Sequence, residues 1–248
     1  LEAFHSQYEE ATDRVRGRLG GEHPLRIDGD RIDTGETFTV RNPGNLDEVI
    51  GRFGAGQPDH VEQAVGIAAD RFDDWRHMDP EERADIFRTA AEIMRERKFE
   101  LGAVMTLENG KNRTEALADV DEAIDFLRFY ARELDRHDGY VFDTGEPTPR
   151  ESTTNLLRPY GVFAVVAPFN FPLAILTGMT TGALMAGNTV VVKPASATPL
   201  IAHEFFDVLE EAGLPDGVAN LVTGGGRDVG QPLTEHEDVS GMVFTGSR

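Results

Sequence analysis

Four short stretches of this chain carry residue types that a plain core does not need. "APFNFP" (Ala167 to Pro172) sets Asn170 among two phenylalanines and two prolines, directly after an apolar run that ends at Val166. "KPAS" (Lys193 to Ser196) closes the next apolar run with a lysine, one of only three in the chain. "TGGGRDVG" (Thr223 to Gly230) and "FTGS" (Phe244 to Ser247) are glycine turns after two further apolar runs. Each has a plain explanation when taken alone. Asn170 suits a turn between prolines, Lys193 suits a solvated strand end, and a single glycine-rich loop is a weak signal. The spacing Gly224-x-Gly226-x-x-x-Gly230 also misses the common dinucleotide fingerprint by one residue, and no acidic residue stands where that fingerprint holds a ribose. Phosphate near a helix N-terminus stays open as a reading. Taken together, the four stretches point to ligand binding along one edge.

Other chemistries find no support in the sequence. "ENGKN" (108–112) ends like a phosphate-binding P-loop, but Met105 stands where the first glycine is required. There is no Gly-x-Ser-x-Gly nucleophile elbow. The seven histidines show no metal-ligand spacing, so no metal site is expected. With no cysteine there is neither a disulfide nor a thiol nucleophile in these residues. Acidic pairs such as Asp73-Asp74 and Glu81-Glu82 read as solvated helix faces.

The elements that must position the four stretches can be read from periodicity. From Tyr160 onward, short apolar runs alternate with helical patterns over 173–187, 198–212 and 227–236. That alternation indicates an α/β fold with a parallel sheet covered by helices on both faces. In such a sheet ligands bind beyond the carboxyl ends of the strands, which is where all four stretches fall. Upstream, "LRIDGDRI" and "TFTVRN" flank Asp-Gly and Thr-Gly turns and read as a β-hairpin. Val61, Val65, Ala68, Phe72 and Trp75 mark an amphipathic helix. Asp79, Pro80 and Glu82 open the next helix as N-cap, N1 and N3. A third runs from Phe99 to Asn109 and stops at Gly110, and a fourth from Thr114 to about Leu134. Residues 1–20 suggest an exposed leading helix. Residues 139–159 carry turn residues between β-rich runs and suggest a protruding hairpin, either an ordinary surface feature or a subunit contact.

Composition narrows the partners. With 44 acidic and 24 basic residues the chain carries −20, which argues against nucleic acid. No run approaches the roughly 20 apolar residues of a membrane span, and no secretory leader opens the chain at Leu1, so a cytoplasmic location is expected. The acid excess suits a salty, halophilic cytoplasm, where ions screen self-repulsion; the alternative is codon bias toward Arg in a GC-rich genome.

The joint pattern resembles the aldehyde dehydrogenase superfamily. "VAPFNFP" looks like that family's Pro-Trp-Asn-Phe-Pro segment with Phe169 in place of Trp, and "GNTVVVKPAS", "GLPDGVANLVTGGG" and "VFTGS" are similar to its following segments. "ENGKNRTEALADVDEAIDFLRFYARE" (108–133) is similar to the branch that oxidises L-glutamate γ-semialdehyde, the 1-pyrroline-5-carboxylate dehydrogenases. The resemblance covers the chain from about Leu25. It implies a Rossmann-like cofactor-binding core over 159–248, a helical part of the same domain over 1–138, and an oligomerisation hairpin over 139–158. It also implies that Asn170 donates to the oxyanion formed on the aldehyde. Ala167, Pro168, Phe169, Lys193, Ser196, Gly226, Gly230, Gly246 and Ser247 would then line the cofactor, with Lys193 on the adenosine ribose. Many NAD-specific relatives carry Glu where this chain has Ser196, so NAD is the expected cofactor with NADP not excluded. The implied partners are a small aldehyde and further copies of the chain.

The family's nucleophilic Cys and general-base Glu lie beyond the Phe-Thr-Gly-Ser turn, and this chain stops at Arg248. The 248 residues alone are therefore expected to be inactive. A nucleotide-binding or non-catalytic interaction module remains an alternative, as does a dehydrogenase of succinate semialdehyde or another short aldehyde.

Overall fold

The computed structural model describes residues 2–246. Its centre is a six-stranded sheet in the order β3-β2-β10-β9-β8-β11. The strands are β2 (Leu25–Ile27), β3 (Asp30–Ile32), β8 (Val162–Val166), β9 (Thr189–Lys193), β10 (Ala219–Leu221) and β11 (Val239–Phe244). The run from β10 through β9 and β8 to β11 is parallel. Every residue of β9 is buried, as expected of a parallel strand covered on both faces. Val190 and Val192 point into the large helical core, while Val191 points into the smaller cluster on the opposite face.

Helices follow from where the apolar stripes and caps fall. α2 (Pro58–His77) lays Val61, Ala64, Val65 and Ala68 on the smaller cluster. The other face is covered by α3 (Pro80–Glu96), α4 (Lys98–Asn109), α5 (Arg113–Arg136), α6 (Ala174–Met185) and α7 (Pro199–Glu211), whose buried residues join the larger core. Asp79 caps α3 by accepting from the Glu81 N–H at 2.8 Å, and Asn112 caps α5 by accepting from the Glu115 N–H at 3.0 Å. Gly110 ends α4 in the left-handed region, φ 74, a position that favours glycine. The short α8 (Gln231–Glu235) lies before β11.

The upstream strands depart from the single hairpin that the sequence suggests. β2 and β3 form a hairpin across Asp28 and Gly29, both at positive φ (55 and 78), and β2 adds to β10 in antiparallel sense. The central sheet is thus parallel only in its β10-to-β11 part. "TFTVRN" becomes β4 (Thr37–Asn42) and pairs instead with β5 (Asn45–Gly54), which also takes β1 (Glu22–His23) on its other edge. Turn chemistry marked the strand ends correctly but could not say which runs pair, because pairing is set by long-range packing. The leading helix α1 (Glu2–Arg16) is likewise more than an exposed arm. Tyr8, Ala11 and Val15 share its inner face and are buried, and the Tyr8 hydroxyl shares a 2.7 Å hydrogen bond with that of Thr106. β6 (Val141–Thr148) and β7 (Glu151–Leu156) form a two-stranded hairpin, exposed along nearly its whole length.

Candidate functional site

The ends of the parallel strands are tied side by side by backbone bonds. Ala167 N donates to Lys193 O at 3.1 Å, Val222 N to Val192 O at 2.9 Å, and Thr245 N to Val166 O at 3.3 Å. These bonds bring the loops after β8, β9, β10 and β11 to one edge, so the structure gathers the sequence-predicted residues. Ser247 lies outside the described residues, and Gly246 is the last of the set that can be placed.

Lys193 closes β9 and is 7% exposed. Its ammonium donates to Pro194 O at 3.2 Å, and it forms no ion pair among the described residues. Burial pushes its pKa down from the ordinary lysine value. A buried cation without a counter-charge is costly unless a ligand supplies acceptors. Its stem lies beside Gly230, where a Cβ would sit 3.6 Å from both Cδ and Cε. Ser196 donates through Oγ to Gly224 O at 3.0 Å, linking the loop after β9 to the glycine loop after β10.

The glycines of that loop differ in purpose. At Gly224 (φ 151) a Cβ would meet Val229 Cγ2 at 2.5 Å and Gly56 N at 3.2 Å, so packing alone demands glycine there. Gly56 in turn donates to Thr223 O at 2.9 Å. Gly226 has nothing within 4 Å of a Cβ, and the same holds for Gly246. Protein packing does not require glycine at either position. A ligand could approach the backbone closely at either position. Gly226 to Gly230 forms a single wide π-helical turn that runs directly into α8, so the helical pattern expected over 227–236 is observed over 226–235.

Ala167 and Pro168 are buried, whereas Phe169 and Phe171 are 52% and 42% exposed and Asn170 is exposed between them. The loop that carries Asn170 rests on residues from elsewhere in the chain. Asn109 Nδ2 donates to Phe169 O at 2.9 Å. The Lys111 ammonium sits 4.1 Å from the centroid of the Phe171 ring and 2.6 Å from Asp119 Oδ2. The other oxygen of Asp119 accepts from Ala174 N at 2.6 Å, at the first turn of α6. One residue before Asn109, Glu108 accepts from Leu200 N at 2.6 Å and Ile201 N at 3.1 Å, at the first turn of α7. Burial pushes the Glu108 carboxyl up to about 8, against the pull of those two N–H groups.

These supporting residues were not among the sequence-predicted site. A signal for one of them existed. Asp119 falls on the Ala116, Val120, Ala123 and Leu127 stripe of α5, and a carboxylate in an apolar stripe is an anomaly that calls for a partner.

Among the described residues no group of three or more His, Asp or Glu is placed to hold a metal. No helix there is long and apolar enough to cross a membrane.

Comparison with known proteins bears on the family and the fold. The profile of the "Aldehyde dehydrogenase family" matches residues 31–248. The 1-pyrroline-5-carboxylate dehydrogenase of Geobacillus sp. (strain WCH70) is 45% identical over 249 residues, covering 100% of this chain and 48% of that enzyme. The chain thus spans about half the length of the curated relatives it matches. Among solved structures, 1-pyrroline-5-carboxylate dehydrogenase from Thermus with bound NAD superposes with a TM-score of 0.95 at 39% identity, over 100% of this chain and 48% of that one. Proline utilization A from Bdellovibrio bacteriovorus gives 0.96 at 35% identity, over 100% and 26%.

Proposed function

This chain belongs to the aldehyde dehydrogenase family, and we propose that it forms the cofactor-binding half of an NAD(P)-dependent enzyme that oxidises L-glutamate γ-semialdehyde to glutamate. The observation that carries the reading is Lys193, a buried ammonium with no carboxylate partner among the described residues, at the edge where four loops meet. Its donors suit the hydroxyls of a ribose. The open backbone at Gly226 and Gly246 suits a pyrophosphate lying close to the chain. The site therefore fits a dinucleotide, which when bound supplies the acceptor for the aldehyde's hydride. The chain's own part in the chemistry is the Asn170 carboxamide, a neutral donor held for negative charge developing on the aldehyde oxygen. Pro168 and Pro172 are both buried beside it, which limits the reorganisation needed when that charge appears. The substrate assignment is supported by the shared name of the most similar curated relatives and by the residues of 108–133.

Binding of NAD by the 248-residue chain, measured by calorimetry, tests the reading. Saturable binding is expected, weakened about tenfold or more in Lys193→Ala through loss of a charge-assisted donor. Equal affinity in the two proteins, or no binding by a folded chain, would overturn it. Cofactor choice has its own test. The Ser196 hydroxyl donates toward Gly224 and places no negative charge near the ribose. Ser196→Glu should weaken NADP by about tenfold or more relative to NAD, because a carboxylate and a 2′-phosphate repel. An unchanged NADP-to-NAD ratio would remove Ser196 from the account.

A further inference from the structure

We propose that Asn109, Lys111 and Asp119 are positioning residues that hold the Asn170 loop in its working geometry; this rests on reading Asn170 as the oxyanion donor. Asn170 is exposed, and its carboxamide takes no partner among the described residues. Its aim must therefore come from the backbone on either side. The carbonyl before it, on Phe169, is fixed by Asn109 at 2.9 Å. The ring after it, on Phe171, lies under the Lys111 ammonium at 4.1 Å, within the range of a cation–π contact. The chain just beyond, at Ala174, is fixed by Asp119, which also holds Lys111 in place. Residues 169 to 174 are thus gripped at three points by one connection, the end of α4 and the first turns of α5.

The cost of that grip argues for position rather than stability. The side chains of Asp119 and Lys111 are 0% and 9% exposed, and a buried ion pair is commonly no more stabilising than apolar residues of the same volume. What apolar residues would not supply is direction. A carboxylate with one oxygen on an ammonium and the other on a helix N–H fixes both partners along defined lines. The arrangement leaves Asn170 itself free to meet a ligand.

The test uses this chain labelled with 15N-asparagine, whose eight asparagines give a sparse set of side-chain amide signals. The Asn170 signal is identified by its loss in Asn170→Ala. Asn109→Ala removes one grip without disturbing the core. Lys111→Met combined with Asp119→Asn removes both buried charges together and keeps an acceptor for Ala174 N–H. In each protein the Asn170 signal is expected to shift and broaden, and exchange at Ala174 N–H, followed in a second sample labelled with 15N-alanine, to quicken by about fivefold in the double variant. The signals of buried Asn188 and Asn220 and the affinity for NAD should stay as in the parent. Lys111→Arg, which keeps a cation over the ring, should restore the Asn170 signal toward that of the parent. An Asn170 signal unchanged in Asn109→Ala and in the double variant would overturn the proposal. So would an equal disturbance of Asn170, Asn188 and Asn220 in Asn109→Ala. These signals do not depend on turnover, so a failed catalytic role for Asn170 would be seen separately, in the kinetics of Asn170→Ala.

Discussion

Asn170→Ala, in an assembled enzyme that also contains a nucleophile, is expected to lower kcat by about 100- to 1,000-fold while leaving NAD affinity within about twofold of the parent. Loss of one preorganised oxyanion donor costs roughly 3 kcal/mol of barrier. The size follows from what the donor meets: an oxygen whose charge grows only in the transition state, so that the ground state loses little. Asn170 is exposed and lies on a loop tied at Phe169 and Ala174 rather than through its own side chain, so its removal should not disturb the fold. Steady-state kinetics with NAD and aldehyde varied separately make the check. A fall in NAD affinity that matches the fall in kcat would mean that Asn170 serves binding, and an unchanged kcat would remove it from the chemistry altogether.

Glu108 should make stability depend on pH in an unusual sense. In the unfolded chain its carboxyl titrates near 4.5, while burial in the fold raises it to about 8. Between those values the native protein holds a proton that the unfolded chain has released. The contribution is therefore fully present below about pH 4.5 and is lost as pH rises through about 8. At about 1.4 kcal/mol per pH unit, the loss across the window is on the order of 5 kcal/mol. Glu108→Gln keeps an acceptor for the N–H groups of Leu200 and Ile201 but cannot ionise. Its denaturation midpoint should exceed that of the parent at pH 8 and converge with it near pH 5. Buried His203 is depressed and works in the opposite sense below pH 6.5, so the informative quantity is the difference between the two proteins. Parallel stability curves would show that Glu108 remains ionised throughout.

Much of the site was legible because its residues lie at strand ends, where sequence order and spatial order coincide. Val162 to Val166 and Thr189 to Lys193 are short apolar runs, each followed at once by a loop of unusual composition, and parallel pairing lines those loops up. Asn170, Lys193 and Ser196 could therefore be placed together before any coordinates. The residues that hold them could not. Asn109 and Lys111 sit about 60 residues away from the Asn170 loop in sequence, and nothing local says which loop an Asn at a helix end will meet. Glu108 presents the same difficulty, since its partners are backbone N–H groups that leave no mark in a sequence. Strand pairing failed for a related reason. Leu25 to Ile27 and Thr37 to Asn42 have similar β character, yet one joins the central sheet and the other does not, a choice made by what each strand packs against.

The seclusion of Lys193 divides the protein's electric field into two parts. The surface, at −20 overall, repels an approaching anion at long range, and dissolved ions screen that repulsion beyond about 10 Å at 0.1 M salt. The ammonium at the strand end is buried, so its short-range attraction is screened much less than the surface repulsion. Salt thus lowers the barrier to arrival without loosening the hold on what has arrived. On the proposed function, the affinity of the chain for an anionic dinucleotide is therefore expected to be at least as high in brine as in dilute buffer.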